Sequence, residues 1–538
     1  MQIGVAVEFA WVNRSYQVLL STNNTLYCHK LICMTRFLLF FLTGLISLPL
    51  TGQPLTREEI QDASRDQFNE AMAEYRSFLA IPNTSRDKEN IQRNVEWCLD
   101  AFQKRGFDTQ RIVAEDVPHV FAELHYGEEL ETILFYLQID GQPVDPREWD
   151  QPDPFTPVLK RKEKSTWQTV SWTALEEGPD PDLRIFARSA SDSKGPAMAF
   201  IAALDILAKR SLKAPFNIKV IMDFQEEIGS PALPGLVKTH RDLLQADMML
   251  IMDGTRHLSN LPTLTFGARG IATMTLTVYG AERNLHSGQY GNFAPNPVFK
   301  LSRLLAGMKD ENGRVTIPGY YDNIGLSGEE KQILNSVPED MEEINTMLGI
   351  AEAEKVGETY QEALQYPSLN VRGLRAGWVR EEVRTLIPSE AVAEIDIRLV
   401  PETEGERIVQ LVRDYIKRQG FYITDAVPTA SERKKFPDII SITHRIGSRP
   451  FRTDMQSDLA VWLEKAMYRV FGNSFIKMRT TGGSQPIAPF IHTLGIPAVA
   501  VRIPNPDNNI HGPNENLRIG NFLEGIQTCL GILTQPVE

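Results

Sequence analysis

Two kinds of apolar pattern divide the chain into elements. Near the start, apolar residues recur at three- and four-residue intervals, which predicts amphipathic helices over 55–79 and 89–107. Further on, continuous apolar runs predict buried strands at 131–138, 217–224 and 246–253, with a helix at 194–210 between the first two. Strands of this kind alternating with helices are typical of α/β proteins with a mostly parallel sheet.

The pattern of apolar and polar residues changes after about residue 265, and the first pattern returns near residue 430. The intervening strands alternate apolar and polar residues more, which predicts a smaller α+β unit. A helix at 457–472 and a strand at 496–503 then resume the first layer. We therefore predict a discontinuous α/β domain over 54–265 and 429–538, interrupted by an inserted α+β domain over 266–428.

Length and charge narrow the class of protein. A chain of 538 residues is long enough for two domains, and 42% hydrophobic with 23% charged residues is typical of a globular protein. A net charge of −13 argues against a nucleic-acid or anionic-membrane partner.

The N-terminal segment has the pattern of an export signal. Met34-Thr35-Arg36 precedes a strongly apolar run that ends near Thr51-Gly52, as in a secretory signal peptide. We predict a signal peptide over 34–52, an upstream extension artefact over 1–33, and an exported protein, periplasmic or secreted, without a stable membrane anchor after cleavage. The alternative is a membrane anchor or a buried helix, although the run is shorter than the ~20 residues a spanning helix needs.

Two cysteines, Cys98 and Cys529, remain after removal of that segment. They lie at opposite ends of the chain and form neither a disulfide framework nor a zinc motif. We predict that both are core residues, with a single bridge as the alternative.

Residues able to bind a metal follow four of the predicted strands. In open α/β sheets, ligands bind beyond the carboxyl ends of the strands, so these side chains are expected at one edge. Taken singly, each also fits a turn, a helix cap or solvated surface. Carboxylates with one imidazole suit zinc or manganese. The candidates, including one just before a helix, are Gln138, Asp140, Asp192, Glu226, Glu227, Asp253 and His511.

Seven short motifs occur together in one order. They are RSASDSKGP, FQEEIGS, LIMDGT, FGARG, LHSGQYGN, TGGSQP and HGPNE. Together they resemble the M20 metallopeptidase family, in particular its carnosinase and nonspecific dipeptidase branch, over roughly residues 60–538. The resemblance implies a metallohydrolase domain carrying an inserted lid and dimerisation domain, and a homodimer.

The resemblance also implies a role for each site residue. Asp192 matches the carboxylate that bridges two metal ions. Glu227 and His511 match the remaining ligands of one ion, and Asp253 matches a ligand of the other. Glu226 matches the general base. A divalent ion lowers the pKa of bound water and polarises a carbonyl, and a nearby carboxylate takes the proton.

Further matches lie in and after the inserted segment. His286 resembles a histidine that family members supply to the partner subunit's site, and Arg398 resembles the residue that holds the substrate's carboxylate. Thr385 and the loop Gly482-Gly483-Ser484 resemble further substrate contacts. Ordinary structural roles remain the alternative for all of them.

The sequence departs from the family pattern at the first metal motif. Gln138 stands where the family has a histidine ligand, with Asp140 behind it. An amide oxygen is a weaker, harder donor than imidazole, and Asp140 would accept from the Gln138 amide instead of orienting an imidazole. Ala187-Arg188-Ser189 replaces a frequent Gly-Arg-Gly, and Ser193 replaces the second Asp of Asp-Asp-Lys-Gly.

Three functions follow from this sequence. The first is a metal-dependent hydrolase that cleaves amide bonds of short peptides, with one or two ions, Zn²⁺ before Mn²⁺ or Co²⁺. The second is an N-acyl-amino-acid deacylase with the same machinery. The third is a metal-poor, non-catalytic binding homologue, against which the presence of Glu226 and of the ligand set argues.

Overall fold

A computed structural model describes residues 54–537. The predicted signal peptide and upstream extension lie outside the described residues. Among the residues that are described, no helix has both the length and the apolar character required to cross a membrane.

Each helix and strand predicted for the first layer has a counterpart in the structure. The strands are β1 Asp108–Ala114, β2 Val117–Leu124, β3 Thr132–Gln138, β4 Val158–Glu163, β5 Thr166–Val170, β6 Arg184–Phe186, β7 Asn217–Asp223, β8 Met248–Ile251, β9 Thr263–Thr265, β10 Gly267–Ala268, β11 Gly270–Tyr279, β12 Leu285–His286, β13 Ser368–Arg375, β14 Leu386–Ile387, β15 Glu390–Leu399, β16 Tyr422–Thr424, β17 Ile439–Ile446, β18 Phe451–Arg452, β19 Ile476–Met478, β20 Ala498–Arg502 and β21 Asn516–Arg518. The helices are α1 Arg57–Leu79, α2 Lys88–Gln103, α3 Lys194–Lys209, α4 Leu233–Thr239, α5 Arg241–Leu244, α6 Ser287–Tyr290, α7 Pro297–Ala306, α8 Gly328–Asn335, α9 Met341–Leu348, α10 Tyr360–Ala363, α11 Gly405–Arg418, α12 Ala430–Lys435, α13 Asp458–Phe471, α14 Ala488–Leu494 and α15 Ile519–Leu533.

The first helix shows how local sequence sets these boundaries. Thr56 precedes α1, and its hydroxyl accepts a hydrogen bond from the backbone N–H of Glu59 at 3.3 Å. The Glu59 carboxylate accepts in return from the Thr56 N–H at 2.8 Å. This capping box satisfies two of the N–H groups that a helix start leaves unpaired, so the helix begins at Arg57.

An eight-stranded sheet carries the metal-site candidates. Its strand order is β1-β2-β7-β3-β8-β20-β9-β19, and the central pairings β7/β3, β3/β8 and β8/β20 are parallel. The flanking pairings β1/β2, β2/β7 and β20/β9 are antiparallel. Helices α1, α3, α13 and α15 contribute buried residues to one core against this sheet. The α/β class with a parallel centre is confirmed.

A second, five-stranded sheet is formed by strands between residues 270 and 446. Its order is β13-β15-β11-β17-β16, and only the β16/β17 pairing is parallel. The strand β17 ends at Ile446, so this sheet runs past residue 428, where the sequence placed the end of the insertion. The division into domains remains a prediction.

Two further features complete the first layer. A four-stranded antiparallel sheet, β21-β6-β4-β5, was not expected from the sequence, and it holds β6 next to the chain that follows the His511 loop.

Cys98 and Cys529 are both free and buried, which confirms them as core residues.

Candidate metal centre

The parallel strands bring the candidates to one edge of the sheet. Gln138 pairs in register with Asp223 at the ends of β3 and β7. Just beyond β7, a short 3-10 helix, Glu226–Ile228, presents two consecutive carboxylates. Asp253 follows β8, and the loop after β20 carries His511. The expectation that these loops share one edge follows from the parallel pairing and is met.

Three of the predicted ligands form a compact triad. The Nε2 atom of His511 lies 3.1 Å from Oδ2 of Asp192 and 3.3 Å from Oε2 of Glu227. One ligand atom from each of the three lies within 4.8 Å of the other two. Both carboxylates are buried, whereas the His511 side chain is 56% exposed. The triad is therefore open to solvent on the imidazole side.

The electrostatics of the triad call for a cation. Burial, followed by the charge of Asp192, raises the pKa of Glu227 to about 8. Burial also raises the pKa of Asp192. The hydrogen bond to Asp192 raises the pKa of His511 to about 9. Buried carboxylates this close repel each other unless a positive charge lies between them.

The donor set fits a divalent ion. In a tetrahedral zinc site with bonds of about 2.0–2.2 Å, adjacent ligand atoms lie roughly 3.3–3.6 Å apart. The separations of 3.1 and 3.3 Å from His511 Nε2 to the two carboxylates are close to that spacing. Two carboxylates and one imidazole with an open side are also the pattern of a catalytic rather than a structural zinc site.

Asp140 positions the two glutamates. It is buried, and its two carboxylate oxygens accept hydrogen bonds from the backbone N–H groups of Glu226 at 3.0 Å and Glu227 at 3.1 Å. The predicted acceptance from Gln138 is wrong. Among residues 54–537, neither side-chain atom of Gln138 has a hydrogen-bond partner, because both oxygens of Asp140 face the 3-10 helix.

Asp253 lies in a hydrogen-bonded group that meets the triad at Asp192. Its Oδ1 accepts from the Ser193 hydroxyl at 2.7 Å, and its Oδ2 accepts from Gln485 Nε2 at 3.2 Å. The same hydroxyl lies 3.1 Å from Oδ1 of Asp192. Arg502, at the end of β20, donates from Nη1 to the Asp253 backbone carbonyl at 2.7 Å. Ser193, Gln485 and Arg502 were not singled out as site residues, although an arginine ending an otherwise apolar strand was a visible signal.

Glu515 is a structural centre of the site that sequence reasoning missed. Fully buried, it pairs with Arg188 at 2.7 Å and accepts from the backbone N–H of Ser189, Ser191 and Asp192 at 2.8–2.9 Å. It thereby fixes the loop that presents Asp192. The signal was present in HGPNE, where Glu515 follows His511 by four residues.

A second neighbour of the triad also escaped the sequence analysis. Gln142, four residues beyond Gln138, donates from Nε2 to Glu227 Oε2 at 2.8 Å. This bond holds an oxygen of a predicted ligand in place, so the turn after β3 supports the triad through Gln142 as well as through Asp140.

The predicted substrate residues form two groups. Arg398 donates to the Ser484 hydroxyl at 3.0 Å, which joins β15 to the 482–484 loop. The carbonyls of that loop accept from Arg269: Gly482 from its side chain at 3.2 Å and Gly483 from its backbone N–H at 3.1 Å.

His286 and Thr385 lie elsewhere. His286 is exposed on the two-stranded β12/β14 sheet, and the Thr385 carbonyl accepts from the N–H of Ser287 at 3.4 Å. Within the described chain, no hydrogen bond or ion pair joins His286 to the triad. Its predicted role, which requires a partner subunit, stays a prediction.

Comparison with known proteins identifies the family. The model of Peptidase family M20/M25/M40 matches residues 134–535, and the chain belongs to this family of metallopeptidases. It is 26% identical over 490 residues to the Cys-Gly metallodipeptidase of Schizosaccharomyces pombe, covering 87% of this chain and 95% of that protein. It is 26% identical over 517 residues to human Beta-Ala-His dipeptidase, covering 91% and 94%.

The solved structures agree with the fold. The M20 family metallo-carboxypeptidase Sso-CP2 from Sulfolobus solfataricus superposes with a TM-score of 0.71 at 26% identity, covering 87% of this chain and 99% of that one. The resemblance inferred from the seven motifs is confirmed.

Proposed function

We propose that the protein is a metal-dependent dipeptidase that hydrolyses the amide bond of short peptides with a free C-terminus. The observation that carries this proposal is the open triad of Asp192, Glu227 and His511 with Glu226 beside it. Both curated relatives described above are named as dipeptidases, which supports this substrate class over longer peptides.

The triad would hold the ion, and we propose Zn²⁺ because of the imidazole and the tetrahedral spacing. When bound, the ion supplies Lewis acidity to the scissile carbonyl and to the attacking water. Glu226 takes the proton from the water and later returns it to the leaving amine. Asp140 keeps Glu226 in place through the backbone hydrogen bond at its N–H.

The carboxylate end of the substrate is assigned to Arg398. A guanidinium forms two parallel hydrogen bonds to a carboxylate, and the Ser484 bond already orients this side chain toward the 482–484 loop. Burial, and then the charge of nearby Arg398, lowers the pKa of Arg269 to about 10. Asp396 Oδ2 lies 3.9 Å from Arg398 Nε, so the two guanidinium groups exceed this one carboxylate by one positive charge, which favours an anionic group at this position.

The decisive experiment separates dipeptidase from deacylase and from binding protein. Purified residues 54–538 are assayed on a dipeptide panel beside N-acetyl and N-succinyl amino acids, after chelation and after re-addition of Zn²⁺, Mn²⁺ or Co²⁺. We expect dipeptide hydrolysis that is lost on chelation and restored by metal. Preferential cleavage of the N-acyl compounds would establish the deacylase instead. Failure to hydrolyse any substrate at full metal occupancy would contradict both.

Arg398→Ala is expected to raise KM for dipeptides by about 10–100-fold with a smaller change in kcat. The loss of a charge-assisted hydrogen bond costs about 1.5–3 kcal/mol of binding. A dipeptide with an amidated C-terminus is the control, because it lacks the carboxylate and its KM should be similar for both enzymes. An equal increase in KM for the amidated dipeptide would show that Arg398 does not bind the C-terminal carboxylate of the substrate.

We also propose that the protein is a homodimer and that it is exported. Phe293 and Phe299, which follow His286, are 86% and 69% exposed, and such aromatic residues favour a contact surface. Export rests on the signal-like segment 34–52. A monomeric mass by light scattering would contradict the first proposal, and retention of the full chain inside expressing cells would contradict the second.

A further inference from the structure

Asp192 offers its two oxygens to two different neighbours. Its Oδ2 faces His511 at 3.1 Å, on the side of the triad. Its Oδ1 lies 3.1 Å from the Ser193 hydroxyl, on the side of Asp253. In a two-ion site this second oxygen would bind the second ion. Here the hydroxyl of Ser193 lies against it.

The Ser193 hydroxyl also reaches the other ligand of that second position. It lies 2.7 Å from Oδ1 of Asp253, so one hydroxyl lies against both carboxylates. The remaining oxygen of Asp253 accepts from Gln485 at 3.2 Å. Both oxygens of this buried carboxylate are therefore engaged by neutral side-chain donors, which is how a buried carboxylate is satisfied without a metal.

Arg502 adds a fixed positive charge at the same place. Its guanidinium is buried and lies so close to Gly254 that a Cβ there would be 1.5 Å from Nη1. Besides the bond to the Asp253 carbonyl, its Nε donates to Thr265 Oγ1 at 3.3 Å, and its Nη2 has no partner. Across residues 54–537, no carboxylate forms an ion pair with Arg502, so its buried charge depends on the nearby charges of Asp253 and Asp192.

Gln138 is a further difference from a metal-binding position. Its amide is buried, and neither its oxygen nor its nitrogen has a partner. A neutral amide contributes a weaker donor than imidazole, and a divalent ion beside Asp253 would be repelled by the Arg502 guanidinium, which donates to the Asp253 carbonyl. The second ion position of the family thus lacks its histidine and already has a cation beside it.

We propose that this protein binds one divalent ion, at Asp192, Glu227 and His511, and that Ser193, Gln485 and Arg502 replace the second ion at Asp253. The guanidinium then supplies the positive charge that the second ion would bring. This inference rests on the proposed metal triad but not on the proposed substrate.

The test counts bound ions. Metal-free protein is loaded with excess Zn²⁺ or Mn²⁺, desalted and analysed by elemental analysis, and the Mn²⁺ form is examined by electron paramagnetic resonance. We expect one ion per chain with the spectrum of an isolated ion, a loss of that ion in His511→Ala, and unchanged occupancy in Asp253→Asn. Two ions per chain, or a magnetically coupled pair, would overturn the inference. So would occupancy that survives His511→Ala but is lost in Asp253→Asn.

A gain-of-site variant tests the same inference in the other direction. Gln138→His combined with Arg502→Gln restores the imidazole and removes the competing charge, so occupancy should rise from one toward two. Gln110→His, on an exposed position of β1, is the matched control and should stay at one. Occupancy fixed at one in a double variant that circular dichroism shows to be folded would count against Arg502 as the substitute cation. If the double variant does not fold, Gln138→His alone decides, and a second ion in it would show that Arg502 does not exclude one.

Failure here is distinguishable from failure of the proposed function. Wild-type protein with no bound ion would contradict the triad itself. One ion without dipeptide hydrolysis would leave the ion count intact and contradict only the activity.

Discussion

Glu226→Gln is expected to lower kcat for dipeptide hydrolysis by about 10²–10⁴-fold, the usual contribution of a general base. The amide keeps the size of the side chain but cannot accept a proton, while the triad of Asp192, Glu227 and His511 is untouched. Metal content should therefore stay at the wild-type value, and KM should change little. The measurement is steady-state kinetics beside elemental analysis of the same preparation.

The pH profile provides an independent check of the same residue. Burial first, and then the charges of Asp253 and Asp192, raise the pKa of Glu226 well above its usual value. A base works only when deprotonated, so activity should fall as pH decreases through that raised pKa. A bound ion counteracts part of the elevation, since its charge favours the carboxylate form. The residual activity of Glu226→Gln should lack this acidic decrease.

Glu148→Gln is the matched control for this prediction. Glu148 is exposed at the end of a different 3-10 helix, Pro146–Glu148, which follows β3, so its amide should leave kcat and the pH profile unchanged. A Glu226→Gln enzyme that keeps kcat within about threefold of wild type would show that another group takes the proton.

Glu515→Gln is expected to lower the free energy of unfolding by about 3–5 kcal/mol, because it leaves the buried Arg188 charge without its partner. The same change loosens the loop that presents Asp192, whose N–H donates to Glu515 at 2.9 Å. Metal affinity should fall by about 10–100-fold, as for other groups that orient a metal ligand. Urea unfolding and metal titration measure the two effects.

Asp182→Asn is the control for the stability effect. Asp182 pairs with Arg518 at 2.8 Å, but its side chain is 81% exposed, and exposed ion pairs contribute at most about 1 kcal/mol. If Glu515→Gln is no more destabilising than Asp182→Asn, the buried pair does not hold the loop.

The sequence predicted the elements that position the site. The apolar run 131–138 became β3, and 217–224 became β7, each within a residue of its prediction. Their parallel pairing puts Asp140 and Glu226–Glu227 at one edge, which is why the strand-end argument found these residues. Motif order then predicted which of these residues bind the metal and which one is the general base. Local periodicity sufficed because it reports which face of a segment is buried.

Local periodicity and motif order did not predict the polar contacts between residues that are distant in the sequence. Glu515 accepts a hydrogen bond from the backbone N–H of Asp192, which lies more than 300 positions earlier in the sequence. No hydrophobic periodicity predicts such a pair. Likewise, Ser193 and Arg502 meet Asp253 only because α3, β8 and β20 converge at one edge. Asp140 was expected to accept from Gln138 and instead holds Glu226 and Glu227, since the chain after β7 turns back over it.

By itself, the sequence determined the class of this protein, an M20 metallopeptidase with an α/β layer, because strand patterns and motif order are properties of the linear sequence. It also marked Gln138 as the departure. Only the tertiary structure showed which contacts accompany this glutamine. The Ser193 hydroxyl lies against the carboxylates of Asp192 and Asp253, and the Arg502 guanidinium lies beside Asp253. Such contacts join separate elements, so their geometry exists only once the sheet has formed.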